Sequence, residues 1–311
     1  METIVVFAPT PILTVTLEAG TEGEDDLHVH AGGQGVWISR MLVRLGVRPI
    51  LSAPFGGETG LVLRNLLEQE GIGVGGVTVQ EPNGFYVHDR RSGERRELAA
   101  RHGEKLGRHE ADDLYDTALL AGLEAGTLVL GGQLAPGVVP MEMYRRLASD
   151  LRANGCQVIG DLCGEALAEA LKGGLDILKI SHEEATADGW ARGDDRDDLL
   201  PAVERLQAAG ARTVVMSRAG DPALAGSDGR LWEIVTPRID PVDFRGAGDS
   251  MTAGLAAGLA GGLPLQEVLR LGAAAGCLNA TRRGLGTGAR SEIERLSRHV
   301  ELRLVAPSRS V

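Results

Sequence analysis

The segment Asp243-Phe244-Arg245-Gly246-Ala247-Gly248-Asp249-Ser250 places a carboxylate behind two glycines, immediately before the Ala- and Gly-rich run from Met251 to Leu263 that reads as a helix. Glycines let the backbone turn so that unpaired N–H groups converge at a helix N-terminus. Such amides, with the helix dipole, bind anions and stabilise charge developing on a phosphoryl group in transfer. A carboxylate at Asp249 is suited to accept the proton of an attacking hydroxyl, so base and anion hole, Gly246, Ala247 and Gly248, come from one turn. The tetrapeptide alone fits equally well an ordinary, tightly packed helix start with Asp249 as its N-cap.

Other polar clusters carry less by themselves. Gly32-Gly33-Gln34-Gly35 reads as a flexible loop before a helix from Val36 to Leu45 and is no dinucleotide fingerprint. Glu183-Glu184 reads as a solvated helix start. The acidic run Asp194-Asp195-Arg196-Asp197-Asp198 reads as a solvated loop leading into a helix, not a metal site. Cys156, Cys163 and Cys277 lack any C-x-x-C spacing, which argues for free thiols in a reducing compartment rather than a disulfide framework or a zinc site.

The elements that must position the Asp249 turn are written in the periodicity from about residue 110 onward. Ala111, Leu114, Tyr115, Ala118 and Leu119 recur at helical spacing before the β-branched run Thr127 to Leu130. The same alternation returns with Met143, Leu147 and Leu151 before Gln157 to Ile159, with Ala166 and Ala170 before Asp176 to Ile180, and with Val203 and Leu206 before Thr213 to Met216. Serial β/α units predict an α/β fold with a doubly wound, mostly parallel sheet flanked by helices. Two stretches break the rhythm, Thr14 to His30 and Phe85 to Leu98, and both read as β-hairpins. A single domain over 1–311 is expected, with a small β-sheet lid built from about 12–32 and 84–100, able to cover a site or to pair with a second subunit.

A hydrophobic fraction of 43% in 311 residues suffices for a substantial core. The formal charge of −11 repels phosphate backbones and anionic lipid, so neither nucleic acid nor membrane is expected as a partner. The start METIVVFAP has no basic region of the signal-peptide kind and no 18 apolar residues run together, which predicts a cytoplasmic protein.

Taken together, the motifs resemble those of the PfkB carbohydrate kinases, a ribokinase-like family, over nearly the whole chain. Asp243 to Leu255 is similar to that family's C-terminal signature, usually centred on Thr-Val-Gly-Ala-Gly-Asp-Ser, and Asp249 matches its catalytic aspartate. Gly32-Gly33-Gln34-Gly35 with Ser39-Arg40 and Leu42 resembles the N-terminal Gly-Gly-Lys-Gly signature, and Gly56-Gly57-Glu58-Thr59-Gly60 the loop that follows. Leu130 to Pro136 resembles the Gly-Ser-Leu-Pro region, Asp161-Leu162-Cys163-Gly164 the Asp-Thr-Ser-Gly motif, and Lys179 to Glu184 the Lys-Pro-Asn-x-x-Glu motif.

The resemblance implies a phosphotransferase that moves the γ-phosphate of ATP, with Mg2+, to a hydroxyl of a sugar or sugar phosphate, in the manner of a 1-phosphofructokinase or tagatose-6-phosphate kinase. By position it implies Glu184 as an organiser of the metal through water and Lys179 and Ser181 near the nucleotide phosphates. Ser217, Ala219 and Gly220 fall at the nucleotide-binding turn, Arg245 beside the triphosphate, and Ala274 and Asn279 on a helix lining the adenine pocket. It implies Thr14, Gly32, Gly33, Gln34 and Trp37 on the acceptor side; the projecting hairpins for their part lead to the expectation of a homodimer through the β-lid.

Several positions depart from the family pattern. Thr10-Pro11-Ile12-Leu13-Thr14 replaces Asn-Pro-Ala-x-Asp, so Thr14 stands where an acidic residue grips sugar hydroxyls, at a loss of roughly 1.5 to 3 kcal/mol per charge-assisted bond. Gln34 replaces the signature lysine, Trp37 an asparagine, and Gly84 in Asn83-Gly84-Phe85-Tyr86 the arginine that contacts a substrate phosphate. Arg90, Arg91, Arg95 and Arg96 lie in the same hairpin as Gly84. Ser181 replaces the asparagine of Lys-Pro-Asn, and Arg245, where relatives carry a small residue, offers positive charge in place of a monovalent cation. Two alternatives therefore stand beside the sugar-phosphate reading: a kinase of an unphosphorylated sugar or nucleoside, and a nucleotide-binding regulatory protein with little or no turnover.

Overall fold

The run Thr3–Phe7 (β1) is β-branched and buried along almost its whole length, as a strand covered on both faces of a parallel sheet must be. The computed structural model describes residues 2–135 and 137–305; Pro136, the last residue of the Gly-Ser-Leu-Pro-like stretch, lies outside them. After β1 the chain forms the hairpin Ile12–Ala19 (β2) and Asp25–Gly32 (β3), then Gln34–Arg44 (α1), Arg48–Gly56 (β4), Gly57–Gln69 (α2) and Gly73–Val79 (β5). A second hairpin, Phe85–Asp89 (β6) and Arg96–Arg101 (β7), leads into the β/α series Arg108–Ala125 (α3), Thr127–Gly131 (β8), Glu142–Ala153 (α4), Gln157–Asp161 (β9), Gly164–Gly173 (α5), Leu175–Ser181 (β10), His182–Ala187 (α6), Arg196–Ala209 (α7) and Ala211–Arg218 (β11). The chain continues with Asp221–Ser227 (β12), Arg230–Val235 (β13), Ala247–Ala260 (α8), Leu265–Ala280 (α9), Arg290–Ser297 (α10) and Glu301–Leu304 (β14).

The main sheet has ten strands in the order β14-β13-β12-β11-β10-β9-β8-β1-β4-β5. From β11 through β5 all neighbours run parallel, so the carboxyl ends of β1, β8, β9, β10 and β11 share one edge. The antiparallel extension β12-β13-β14 had no counterpart in the sequence expectation. One face of the sheet is covered by α3, α4, α5 and α7 through residues such as Leu114, Leu147, Leu167 and Leu206. The other is covered by α1, α2, α8, α9 and α10 through Leu42, Leu63, Leu255, Leu269 and Ile293. Helices on both faces make the fold doubly wound. No described helix is long and apolar enough to cross a membrane.

Helices α8 and α9 pack so closely that a Cβ at Gly254 would lie 2.8 Å from Gly272 Cα. Small residues on both helices let their backbones meet, which anchors the N-terminus of α8 at the edge where the strands end.

The two hairpins join through a parallel β2–β6 pairing into a separate four-stranded sheet, β3-β2-β6-β7. Register sorts its side chains by face: Leu13, Val15, Leu17, Val29, Phe85 and Val87 on one, Thr14, Thr16, His28, His30 and Tyr86 on the other. The polar face borders a cleft above the carboxyl ends of the main strands.

Candidate active site

The cleft encloses about 2090 Å3, more than a single small-molecule site of about 300–1,000 Å3 requires, so it has room for two ligands side by side. Its floor is the edge where β8, β9 and β10 end, the place at which ligands bind in open α/β sheets.

The turn singled out in the sequence sits at this floor. Gly246 has φ of 71°, a left-handed conformation that favours glycine, and occupies the N-cap of α8 without a side-chain cap. Asp249 is therefore the third residue inside the helix and not its N-cap. The Ala247 amide donates to Phe244 O at 3.2 Å, so among the described residues the Gly248 amide remains at the terminus without an acceptor. Of the three residues expected to form the anion hole, only Ala247 has its amide engaged; those of Gly246 and Gly248 have no acceptor among the described residues.

Asp249 is partly exposed, and its carboxyl is pushed up to about 7, first by burial and then by the charge of Asp161, against the opposing pull of Lys179. A carboxylate poised there suits a general base. Lys179 is buried, with Nζ donating to Asp161 Oδ1 at 3.1 Å. Burial alone would lower its pKa, but Asp161, Asp249 and Glu184 more than offset this and raise it, so it stays an ammonium.

Asp161 is the centre that the sequence reading left without a role, although its Asp-Leu-Cys-Gly motif was noted. Thr252, in the second turn of α8, donates its hydroxyl to Asp161 Oδ2 at 2.6 Å. Gln34 Nε2 donates to the Asp161 carbonyl at 3.3 Å, while the Gly132 amide donates to Gln34 Oε1 at 2.6 Å. The ends of β8, β9 and β10, helix α8 and the start of α1 are thereby tied together.

Ser181 and Glu184 form a reciprocal capping box at the start of α6: the Ser181 amide donates to Glu184 Oε2 at 2.8 Å and the Glu184 amide to Ser181 Oγ at 3.2 Å. Glu184 also lines the cleft. Among the described residues no three acidic, histidine or cysteine side chains gather to hold a metal directly. Asp161, Asp249 and Glu184 against the one charge of Lys179 still leave an excess of negative charge, a donor set that fits a hydrated divalent cation.

Thr14, Gly32, Gly33, Gln34 and Trp37 all line the cleft, joined by Thr16, His28, His30 and Tyr86. Gln34 spends its amide on the protein, and Arg40 spends its guanidinium on both oxygens of Glu70 and on Ala31 O. Burial, then Arg40 and His28, lower the pKa of His30, which favours its neutral form. Of the arginines in the β6–β7 hairpin, Arg91 and Arg96 are held by Asp89, whereas Arg90 and Arg95 reach the cleft, Arg90 with its Nη1 3.4 Å from Glu18 Oε1 and Arg95 with its Nη2 2.6 Å from His88 Nε2.

The residues expected around the nucleotide divide. Arg245 lines the cleft and grips Asp243, with Nη2 donating to Oδ2 at 2.6 Å and Nε to Oδ1 at 3.0 Å. Ser217, Ala219 and Gly220 end β11 and turn into β12, with Ala219 at φ of 48°, outside the cleft wall. Ala274 and Asn279 lie fully buried within α9 and are not among the residues that line the cleft.

A family model described as pfkB family carbohydrate kinase matches residues 3–292. The ATP-dependent 6-phosphofructokinase isozyme 2 of Escherichia coli is 31% identical over 258 residues, 81% of this chain and 82% of the relative. The 1-phosphofructokinase of Bacillus subtilis is 28% identical over 260 residues, 83% of this chain and 84% of the relative. The crystal structure of phosphofructokinase-2 from Escherichia coli in complex with potassium superposes with a TM-score of 0.82 at 26% identity, covering 96% of this chain and 99% of that one.

Proposed function

The chain belongs to the pfkB family of carbohydrate kinases, and from that premise we propose that Asp249 is the base that takes the proton of the acceptor hydroxyl in an ATP-dependent phosphoryl transfer. The observation that carries this reading is the placement of Asp249 in the first turn of α8, within the field of Lys179 and Asp161, directly behind Gly246, which with Asp161 lines a cleft with room for two ligands.

In this reading the left-handed Gly246 turn aims the Gly248 amide and the α8 dipole at the developing negative charge, with no side chain to reorganise. Asp249 removes the hydroxyl proton as the oxygen attacks, aided by a pKa already close to neutral. Lys179, locked by Asp161, holds a fixed positive charge under the phosphates. Glu184 and Asp161 would hold a hydrated Mg2+ through its waters, and the bound Mg-ATP would supply the phosphoryl group and shield its charge. Arg245 flanks the phosphates from the loop before the turn. Ser217, Ala219 and Gly220 remain on the nucleotide side as the turn after β11.

For the acceptor we propose a sugar phosphate of the kind named in the relatives, with Arg90 and Arg95 of the lid toward its phosphate and Thr14, Gly32, Gly33 and Trp37 around its hydroxyls. A second reading, an unphosphorylated sugar or a nucleoside, is favoured by the acceptor wall itself: Trp37, Tyr86, His28 and His30 line it, and Arg40 is already neutralised by Glu70. The lid sheet, with Leu27 62% exposed and Leu98 45% exposed, is proposed as the face of a homodimer. A cytoplasmic location suits the free thiols of Cys156, Cys163 and Cys277.

ATP turnover measured against fructose 1-phosphate, fructose 6-phosphate, tagatose 6-phosphate, unphosphorylated hexoses and ribonucleosides tests the reading. One acceptor should be phosphorylated, and Asp249→Asn should lower that rate by roughly 10²–10⁴-fold. No Asp249-dependent product with any acceptor would instead support a nucleotide-binding protein without turnover.

A further inference from the structure

The buried face of α9 consists of Val268, Leu269, Gly272, Ala273, Ala274, Ala275, Gly276 and, as its single polar member, Asn279. Burying a carboxamide is unfavourable unless its hydrogen bonds are satisfied, so a polar residue on an otherwise apolar seam calls for a use. Asn279 Nδ2 donates to the Arg245 carbonyl at 2.9 Å. Its Oδ1 accepts from the amides of Gly286 at 3.0 Å and Thr287 at 3.2 Å.

Each of these partners leads to one side of the cleft. Arg245 directly precedes Gly246, whose left-handed backbone starts the catalytic turn, and the two residues before Phe244 are also pinned to the end of α9: the Val242 and Asp243 amides donate to Ala280 O at 2.8 and 3.1 Å. Gly286 sits against α1 so tightly that a Cβ on it would lie 2.7 Å from Arg40 Cβ and 2.8 Å from Trp37 O. One carboxamide therefore connects the turn that carries Asp249 with the helix that carries the acceptor-side Trp37.

We infer that Asn279 is a positioning residue for phosphoryl transfer, bracing the Gly246 turn against the 284–287 loop and, through that loop, against helix α1. The role given to the turn rests on the function proposed above; the brace itself does not. Its importance follows from the sensitivity of transfer to alignment, since a displacement of about 1 Å between base and acceptor costs on the order of 100-fold in rate.

Asn279→Asp is the informative variant, because it keeps the shape and the acceptor for Gly286 and Thr287 while opposing a carboxylate oxygen to the Arg245 carbonyl. Leu269→Ala, on the same helix and equally buried but away from the turn, controls for loss of stability. In the unliganded protein, amide hydrogen exchange over 244–248 should rise in Asn279→Asp and stay at the wild-type level in Leu269→Ala. With whichever acceptor the wild type phosphorylates, kcat of Asn279→Asp should fall on the order of 100-fold, with the KM for ATP and acceptor changed by less than about threefold. Unchanged exchange over 244–248, or a kcat no lower than that of Leu269→Ala, would overturn the brace. A wild type inactive toward every acceptor would count against the kinase reading alone, and the exchange result would still decide the brace.

Discussion

The ammonium of Lys179 lies 3.1 Å from Asp161 Oδ1, while Thr252 donates its hydroxyl to the second oxygen of the same carboxylate at 2.6 Å. The pair is buried at the carboxyl ends of β9 and β10, and the threonine belongs to the helix that presents Asp249. Asp161→Asn takes from the buried Lys179 ammonium its hydrogen-bonded carboxylate and leaves only the more distant Asp249 and Glu184, and removing one partner of a buried pair costs up to about 3–5 kcal/mol. Thr252→Val leaves one carboxylate oxygen unpaired, at about 1–3 kcal/mol. Urea titrations should rank the two in that order, and an Asp161→Asn variant as stable as the wild type would contradict the account of Lys179 as a buried, charged group.

Asp249 gives the protein a pH signature. Its carboxyl is held at about 7, first by burial and then by Asp161, so the free base is lost as pH falls below neutrality. The initial slope of kcat/KM should be about tenfold per pH unit on the acid side of that value. The stability consequence has the opposite sense to that of a salt-bridged aspartate. A carboxyl whose folded pKa is raised binds its proton more tightly in the folded state, so its contribution to stability declines as pH rises from the ordinary aspartate range to about 7. Asp249→Asn should therefore melt a few degrees above the wild type at pH 8 while losing activity, and nearly coincide with it at pH 4. A rate profile flat between pH 5 and 8 would remove Asp249 as the base.

Arg245 is engaged by Asp243 through both carboxylate oxygens, which holds the Asp243 carboxyl below its usual range. We propose that the guanidinium, held in place by Asp243, takes the part of a bound monovalent cation beside the phosphates. Turnover should then be equal in potassium and in tetramethylammonium at matched ionic strength, and Arg245→Ser should make it respond to potassium. Strong activation of the wild type by potassium would refute this substitution of side chain for ion.

How far this site could be read in advance depended on the range of each interaction. The Gly246–Asp249 turn is local, so glycine spacing and the small-residue helix behind it announced it, although not that Asp249 would stand three residues inside the helix. The two lid hairpins were legible because side chains alternate along each strand, whereas their parallel junction through β2 and β6 joins segments some seventy residues apart and left no pattern. The Thr252–Asp161 bond spans 91 positions and the Gln34–Asp161 bond 127. Such contacts have no period or spacing to reveal them. Asn279 was placed only by the family resemblance, since its burial on α9 and the hydrogen bond of its amide to the Arg245 carbonyl, 34 positions away, leave no local pattern.

The apolar face of the lid offers a direct test of assembly. Leu27 is 62% exposed and pairs across the hairpin with Leu17, away from the cleft-facing row. If two copies meet through this sheet, Leu27→Glu buries a carboxylate in the interface and should convert a dimer to a monomer in light scattering, with the melting temperature of the main fold little changed. An unaltered mass would place any dimer contact elsewhere.

Gly248 is the position where the turn and the lysine are most closely interlocked. A Cβ there would lie 2.6 Å from Lys179 Nζ and 3.3 Å from its Cε, with no backbone atom in the way. The far end of a lysine ordinarily yields to a methyl group, but this one is buried and tied to Asp161, so Gly248→Ala must either break that ion pair or push the N-terminus of α8 outward. Either displacement moves the open Gly248 amide by a fraction of an ångström to an ångström, enough for a loss of about 10- to 100-fold in kcat. Because the injury runs through Lys179, shortening that side chain should relieve it. In a double-mutant cycle, Gly248→Ala on a Lys179→Ala background should then cost much less than on the wild type, a coupling of about 1–3 kcal/mol in transition-state free energy. Additive losses would show that the methyl acts on the nucleotide directly and not through the lysine.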